Sequence, residues 1–320
     1  MEAHRILVPP AIGEGEMKAP RPSSDRRDAA DAAIVAFFGL VRDELRRYDP
    51  AGPVAAELKR YLGPQFRPDG EPSPLGIAGY STRLRPVVEI LLSGRPGLRI
   101  LDAGSGYGTE SLLFAGLGAD VTAVELVGAR HEIARIRPEN VRRPDGRPFR
   151  IEFVNANILR YLERAPAFDI IWAMEAVSHI FPPEKFLTLA RERLAPGGRL
   201  AVSDPNRANP VAWLRAVRIR GSIRHEPHRE FHDPELGTPV DYGQEQIHSV
   251  RGMERLLART GYRVERTEVA GFLASSVFPG SWRDRRAPTA VFLGFQRAAG
   301  RLPVLRRLGA NYTILARPSA

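Results

Sequence analysis

The chain has 320 residues, 43% hydrophobic and 26% charged, a composition typical of a folded globular protein. It contains no cysteine, which excludes disulfides, thiolate metal sites and cysteine nucleophiles. The net charge of +10 does not favour a nucleic acid partner, because the basic residues, almost all arginines, are interleaved with acids along the whole chain.

The N-terminal part divides into an arm and a helical cap. Residues 1–27 mix Pro, Gly, Ser and charges without apolar periodicity, so we expect an arm with no fold of its own. Apolar spacing over residues 28–92 predicts a cap of three helices, over about 28–49, 54–62 and 82–92. The stretch GPQFRPDGEPSPLG (63–76) is rich in Pro and Gly and predicts a connector.

Strand-like and helix-like segments alternate in the central part of the chain. Strands are predicted over 98–103, 120–126, 151–156, 168–174 and 198–204. Helices are predicted over about 107–117, 127–136, 158–163 and 183–194. This alternation, with continuously apolar strands, predicts a parallel sheet covered on both faces, with ligands at the carboxyl ends of its strands.

The C-terminal part is less regular. A helix and a strand are predicted in SVRGMERLLARTGYRVERTEVAG (249–271), then more helix, and a final strand in NYTILAR (311–317). We interpret the chain from 93 to 320 as one domain with added lid segments at about 205–245 and 271–310. No apolar stretch is long enough to predict a membrane span, and the N-terminus lacks a signal-peptide pattern, so we expect a cytoplasmic protein.

Three alternating glycines follow the first predicted strand in ILDAGSGYGTES (100–111). Gly104, Gly106 and Gly108 let the backbone turn sharply and let a ligand approach the amides that start the next helix. Position 109 is Thr, so the dinucleotide pattern G-x-G-x-x-G is not met, and the chain has no G-K-[ST]. We therefore expect the loop to face a ligand group that is smaller than a pyrophosphate and zwitterionic.

Polar residues also end the next two predicted strands. Glu125 lies 21 residues after Gly104, and an acid there can accept hydrogen bonds from both hydroxyls of a ribose. Asn157 follows the third strand, and its side-chain oxygen could accept from an adenine amino group. The pattern favours a nucleoside ligand.

Five landmarks occur here in the order and spacing of class I S-adenosylmethionine-dependent methyltransferases: ILDAGSGYG, Glu125, Asn157, FDIIWAMEAVSHI and LAPGGRLAVSD. The chain resembles this family over about 98–204. The resemblance implies an α/β fold, a Rossmann-like, doubly wound, mostly parallel seven-stranded sheet with an N-terminal helical cap and an inserted lid. It also implies S-adenosyl-L-methionine as cofactor and S-adenosyl-L-homocysteine as product.

The same resemblance implies which residues hold the cofactor. The methionine end would lie at Asp102, Gly104 and Gly106, the ribose at Glu125 and the adenine at Asn157, where the family more often has Asp. The full set of implied cofactor-binding residues is Asp102, Gly104, Ser105, Gly106, Glu125, Leu126, Asn157, Ile158 and Glu175.

The stretch WAMEAVSHIFPPEKF (172–186) is similar to the signature of the small-molecule branch, which includes tocopherol, sterol and sugar O-methyltransferases. It implies methylation of an oxygen or nitrogen of a small molecule, such as a secondary metabolite. The acceptor itself, and whether O, N or C is methylated, stay open.

His179 and Asp204 are the predicted catalytic residues. A neutral imidazole after the fourth strand could take the proton of the acceptor. In similar sugar O-methyltransferases this His pairs with an Asp at the end of the fifth strand, a position that Asp204 occupies here. A structural role for His179, bonding only to the neighbouring backbone, stays open.

Aromatic and imidazole side chains are candidates for shaping the acceptor site. The predicted substrate-binding residues are Tyr80, Tyr107, Trp213, His225 and Tyr242, and further candidates are Trp172, Glu175, His228 and His232. No metal site is predicted, because the three histidines of HEPHREFHDPE do not share one helix face.

Two other functions stay open. The arginine-rich stretch after 205 could serve RNA or protein methylation, although its charges are scattered. A protein that binds S-adenosylmethionine without transferring its methyl group would carry the same landmarks. Homo-oligomer formation is also left open.

Overall fold

A computed structural model describes residues 23–94, 96–143, 145–210, 231–240, 247–272 and most of 290–319. The predicted arm up to residue 22, and much of both predicted lid segments, lie outside these described residues. Among the residues described, none of the helices is both long and apolar enough to span a membrane.

Three helices form the N-terminal cap: α1 (Ser23–Leu45), α2 (Pro53–Leu62) and α3 (Pro74–Ser93). Helix α1 begins inside the stretch that we predicted as arm, and α3 begins eight residues before its predicted start. The reason for the second error is local. The Ser73 hydroxyl caps α3 by accepting from the Gly76 amide at 3.3 Å, and Pro74 is at the first helical position. The end of the Pro- and Gly-rich stretch is therefore a helix start.

A seven-stranded sheet forms the centre of the molecule. Its strands are β1 (Arg99–Ala103), β2 (Asp120–Glu125), β3 (Ile151–Asn155), β4 (Phe168–Met174), β5 (Leu194–Pro205), β8 (Tyr262–Ala270) and β9 (Asn311–Pro318). The order across the sheet is β3-β2-β1-β4-β5-β9-β8. Strands β1 to β5 are parallel, and β9 runs antiparallel to both of its neighbours. A short hairpin, β6 (Phe231–His232) with β7 (Pro239–Val240), lies outside this sheet.

The remaining helices connect the strands: α4 (Thr109–Gly116), α5 (Gly128–Asn140), α6 (Ile158–Arg164), α7 (Pro183–Glu192) and α8 (Val250–Arg259). They confirm the predicted alternation to within a few residues. Helix α5 continues past its predicted end and contains Pro138 in its last turn.

The core has two layers, one on each face of the sheet, because successive strand side chains point to opposite faces. Ile100 faces the cap, where it packs with Phe38 and Val87, and Leu101 belongs to the layer on the other face. Trp172, a candidate for the acceptor site, is wrong in that role. It is fully buried in the cap-side layer, with its ring edge-on to Phe114 at 5.8 Å.

Candidate active site

The glycine loop lies at the carboxyl end of β1. Gly104, Gly106 and Gly108 have φ values of +77°, +56° and +71°, a region that only glycine adopts without strain. A Cβ on Gly104 would also lie 2.9 Å from the Cβ of Ala176, which follows β4. Glycine is therefore required at 104 for two reasons, backbone conformation and close packing.

The neighbouring strand β2 holds this loop in place. The amides of Gly104 and Ser105 donate to the Val124 carbonyl at 2.9 and 3.0 Å. The amide of Gly106 donates to Glu125 Oε2 at 2.8 Å, and that of Val127 donates to Oε1 at 2.8 Å. Each carboxylate oxygen retains a further lone pair, so Glu125 can still accept from two hydroxyls.

Asp102 lies beneath the loop. It is buried and accepts a hydrogen bond from the Ser111 hydroxyl at 2.5 Å. Burial, chiefly, raises the pKa of this carboxyl to about 7. The arrangement makes Asp102 a support for the loop, and direct contact with a ligand stays a prediction. The Ser105 hydroxyl is buried and has no hydrogen-bond partner within the described ranges.

The end of β3 completes this edge of the sheet. Asn157 caps helix α6, and its side-chain oxygen accepts from the Leu159 amide at 3.0 Å. Asn155 donates to the carbonyls of Glu125 and Leu126 at 2.7 and 3.1 Å, which ties the ends of β2 and β3 together. Ile158 is the first residue of α6. The adenine-binding roles of Asn157 and Ile158, and the part of Leu126, stay predictions.

On the other side of the loop, Glu175 follows β4. Its φ of +51° makes it the only non-glycine residue with a left-handed backbone among those the structure describes. Its amide donates to the Ser203 carbonyl at 2.7 Å, and its half-exposed carboxylate pairs with Arg83 Nη1 at 2.6 Å. Such strain concentrates at functional sites.

Sequence reasoning missed Arg83, which comes from cap helix α3. This arginine is buried and also donates from Nε to the Ser203 hydroxyl at 2.9 Å. No spacing rule links a helix residue to a strand end 92 positions later, so no local signal could have identified it.

The two predicted catalytic residues lie on adjacent strand ends. His179 ends a single 3₁₀ turn, Val177–His179, and its amide donates to the Ala176 carbonyl at 2.9 Å. Asp204 is buried near the end of β5, and its Oδ1 accepts from the Ser178 hydroxyl at 3.4 Å. Its Oδ2 has no hydrogen-bond partner among described residues.

Burial is the main cause that raises the pKa of Asp204 to about 8. This shift favours the neutral form of the carboxyl, which cannot stabilise an imidazolium by charge. The predicted pairing of His179 with an ionised Asp204 stays a prediction.

Replacing Asp204 with Asn should flatten the pH dependence of the free energy of unfolding. An acid with a raised pKa stabilises the fold fully below its unfolded pKa of 3.8, and this contribution is lost as pH rises through about 8. Between about pH 5 and 8 the unmodified protein should lose up to about 1.4 kcal/mol per pH unit more than the variant. Urea unfolding at several pH values measures this, and parallel slopes would contradict the raised pKa.

Of the tyrosines predicted to bind substrate, the structure describes Tyr80 on cap helix α3 and Tyr107 in the glycine loop. Tyr80 is buried, donates to Glu110 and packs edge-on against Phe38 of α1 at 5.4 Å. It therefore lies within the core between the cap helices and the sheet, and its role in binding substrate stays a prediction. Tyr107 is also buried, and its hydroxyl donates to Glu57 of α2 at 2.7 Å.

Tyr61 was not predicted from the sequence. Its ring lies 5.0 Å from that of Tyr107, and 37% of the residue is exposed. Burial of the hydroxyl and the charges of Glu110 and Glu175 raise its pKa well above the ordinary value. Tyr61 is therefore a partly exposed residue of the cap that lies beside the glycine loop.

Several predicted residues cannot be placed. Trp213, His225, His228 and Tyr242 lie outside the described residues. His232 is exposed on β6. Within the described part of the chain, no group of three or more His, Asp or Glu side chains could hold a metal ion.

Comparisons with known proteins agree with this geometry. A family model described as "Methyltransferase domain" matches residues 54–267. A ubiquinone biosynthesis O-methyltransferase of Xanthomonas axonopodis pv. citri is 32% identical over 68% of this chain and 87% of that protein. A protein of the same description from Cereibacter sphaeroides is 34% identical, but the match spans only 38% of this chain and 46% of the relative.

One solved structure has a similar fold over most of both chains. Magnesium protoporphyrin IX methyltransferase from Synechocystis PCC 6803, crystallised with bound S-adenosylhomocysteine, aligns with a TM-score of 0.50 at 14% identity. The alignment covers 88% of this chain and 100% of that one.

Proposed function

Because this chain belongs to the class I S-adenosylmethionine-dependent methyltransferase family, we propose that it methylates an oxygen or nitrogen of a small-molecule acceptor. The observation that carries the proposal is the glycine loop held against Glu125 at the carboxyl edge of the sheet. The O-methyltransferase relative that matches over 87% of its length supports a small acceptor.

The residues of this edge fit the cofactor. A Cβ on Gly106 would meet no atom within 4 Å, so the backbone there is open to a ligand. The buried Ser105 hydroxyl has a free donor, and Glu125 can accept from two ribose hydroxyls. The Glu175 carboxylate can make the surroundings favourable for a cation. When bound, S-adenosylmethionine supplies an activated methyl group on a sulfonium.

The protein's own contribution is then to orient the acceptor, since alignment provides much of the acceleration in such a transfer. We place the acceptor between Tyr61 on the cap and the Glu175–Arg83 pair at the end of β4. Arg83 orients the Glu175 carboxylate, which can accept a hydrogen bond from an acceptor hydroxyl or amine. Tyr61, with 37% of the residue exposed, offers an aromatic ring that the acceptor can contact.

His179 is the candidate general base in this proposal. Like Glu175, it follows strand β4, so its imidazole can be reached from the same edge of the sheet. Replacing His179 with Ala should lower kcat by about 100-fold or more if the imidazole takes the acceptor proton. The affinity for S-adenosylhomocysteine should change little, and a fully active variant would remove the base from the proposal.

The proposal is tested by incubating the protein with S-adenosylmethionine and separate panels of phenols, amines, bulk RNA and unrelated proteins. Formation of S-adenosylhomocysteine with a small acceptor supports it. Turnover on RNA or protein alone would replace it with macromolecular methylation. Cofactor binding without turnover on any panel would favour a binding protein that does not transfer the methyl group.

A cytoplasmic location is a finer part of the proposal, and the oligomeric state stays open. Fractionation of the producing cells checks the location, and light scattering of the purified protein measures the oligomeric state.

A further inference from the structure

A buried ion pair joins the cap to the sheet domain. Glu44 of α1 and Arg137 of α5 both have fully buried side chains. Arg137 Nε and Nη2 donate to the two carboxylate oxygens of Glu44, each at 2.8 Å. The hydroxyl of Tyr48 donates to the same carboxylate at 2.9 Å.

The third nitrogen of this arginine reaches the glycine loop. Arg137 Nη1 donates to the Tyr107 carbonyl and to the Thr109 hydroxyl, both at 2.7 Å. The Tyr107 carbonyl and the Gly108 amide belong to one peptide group. The Gly108 amide donates to the Ser105 carbonyl at 2.8 Å. The peptide between residues 107 and 108 is therefore fixed at both its oxygen and its N–H.

The other two cap helices hold the same segment. Glu57 of α2 accepts from the Tyr107 hydroxyl at 2.7 Å, and Tyr80 of α3 donates to Glu110. Residues 107–110 thus contact α2 and α3 directly and reach α1 through Arg137.

We propose that Glu44 and Arg137 are positioning residues for cofactor binding, and that they make cap helix α1 part of the cofactor site. Glu44 holds the guanidinium in the plane that aims Nη1 at the loop. The fixed peptide then presents Ser105, Gly106 and the start of α4 in the geometry that receives the cofactor. Preorganisation of this kind increases affinity by removing the cost of ordering the loop on binding.

A purely structural role does not account for this pair equally well. Replacing a buried ion pair with apolar residues of similar size is often neutral or stabilising, so stability alone gives little reason to bury two charges here. A planar donor with several N–H groups is needed to bond a carboxylate and a loop carbonyl at once, and arginine is the side chain that provides it.

The test separates folding from binding. In the double variant Glu44→Leu with Arg137→Met, the apolar pair should keep the unfolding midpoint close to that of the unmodified protein. The dissociation constant for S-adenosylhomocysteine, measured by calorimetry, should rise at least about tenfold. With a turnover assay, KM for S-adenosylmethionine should rise while kcat at saturating cofactor changes much less.

A matched control replaces another ion pair of the same helix. Asp31 of α1 pairs with Arg85 of α3 at 3.0 Å, and Arg85 also bonds Glu268 at 3.1 Å. These bonds join the cap to β8 and do not involve residues 104–110. The double variant Asp31→Leu with Arg85→Met should keep the cofactor affinity of the unmodified protein.

A double variant of Glu44 and Arg137 that is stable and binds with unchanged affinity would overturn the proposal. Should that variant fail to fold, Arg137→Lys takes its place, because lysine keeps the charge but cannot bond Glu44 and the loop through separate nitrogens. Weaker binding by a folded Arg137→Lys variant supports the proposal, and unchanged binding overturns it.

Discussion

Replacing Glu125 with Ala is expected to weaken S-adenosylhomocysteine binding by about 100-fold or more. Each hydrogen bond to a carboxylate contributes about 1.5 to 3 kcal/mol, and the variant would lose the bonds from two ribose hydroxyls together. The substitution also removes the acceptor of the Gly106 and Val127 amides, so the loop loses a support. Titration calorimetry measures the affinity.

Two further variants show whether a loss of affinity is specific to the carboxylate of Glu125. Glu125→Gln keeps the size and one acceptor oxygen, so its affinity should lie between those of the unmodified protein and the Ala variant. Glu132→Ala removes an exposed carboxylate on α5 and should leave binding unchanged. An unaltered affinity in Glu125→Ala would reject the assignment of this residue to the ribose.

Gly104→Ala should disrupt both the fold and the site. The left-handed conformation costs a non-glycine residue roughly 1 to 2 kcal/mol, and the new Cβ would also press on Ala176 at 2.9 Å. Because the loop must move to relieve this contact, we expect a loss of stability of more than about 2 kcal/mol and at least about tenfold weaker cofactor binding. Chemical unfolding and calorimetry measure the two effects.

Gly118→Ala is the matched control. Gly118 also has a positive φ, of +95°, but a Cβ there would meet no atom within 4 Å. The free energy of unfolding of this variant should therefore fall only by the cost of the left-handed conformation, roughly 1 to 2 kcal/mol, and its cofactor affinity should not change. Equal losses in the two variants would show that packing against Ala176 does not matter.

Much of the fold could be predicted because its signals are local. Apolar runs separated by helical spacing identified β1 to β5 and the helices between them to within a few residues. The boundaries failed where one signal has two meanings. Proline and glycine near Ser73 looked like a connector but began helix α3. The helix predicted to end near residue 136 continues to Asn140 as α5.

The sequence by itself determined that a glycine turn and Glu125 meet at the carboxyl edge of a parallel sheet, because parallel strands bring the residues that follow them to one edge. Only the tertiary structure decided that Arg83, Tyr61 and the Glu44–Arg137 pair belong to this region. The raised pKa of Asp204 also comes from the tertiary structure, since its main cause is burial. The physical reason is distance along the chain. The signals that predict a strand or a turn come from residues close together in the sequence. The contacts of the cap and the desolvation of a carboxyl come from residues that only folding brings together.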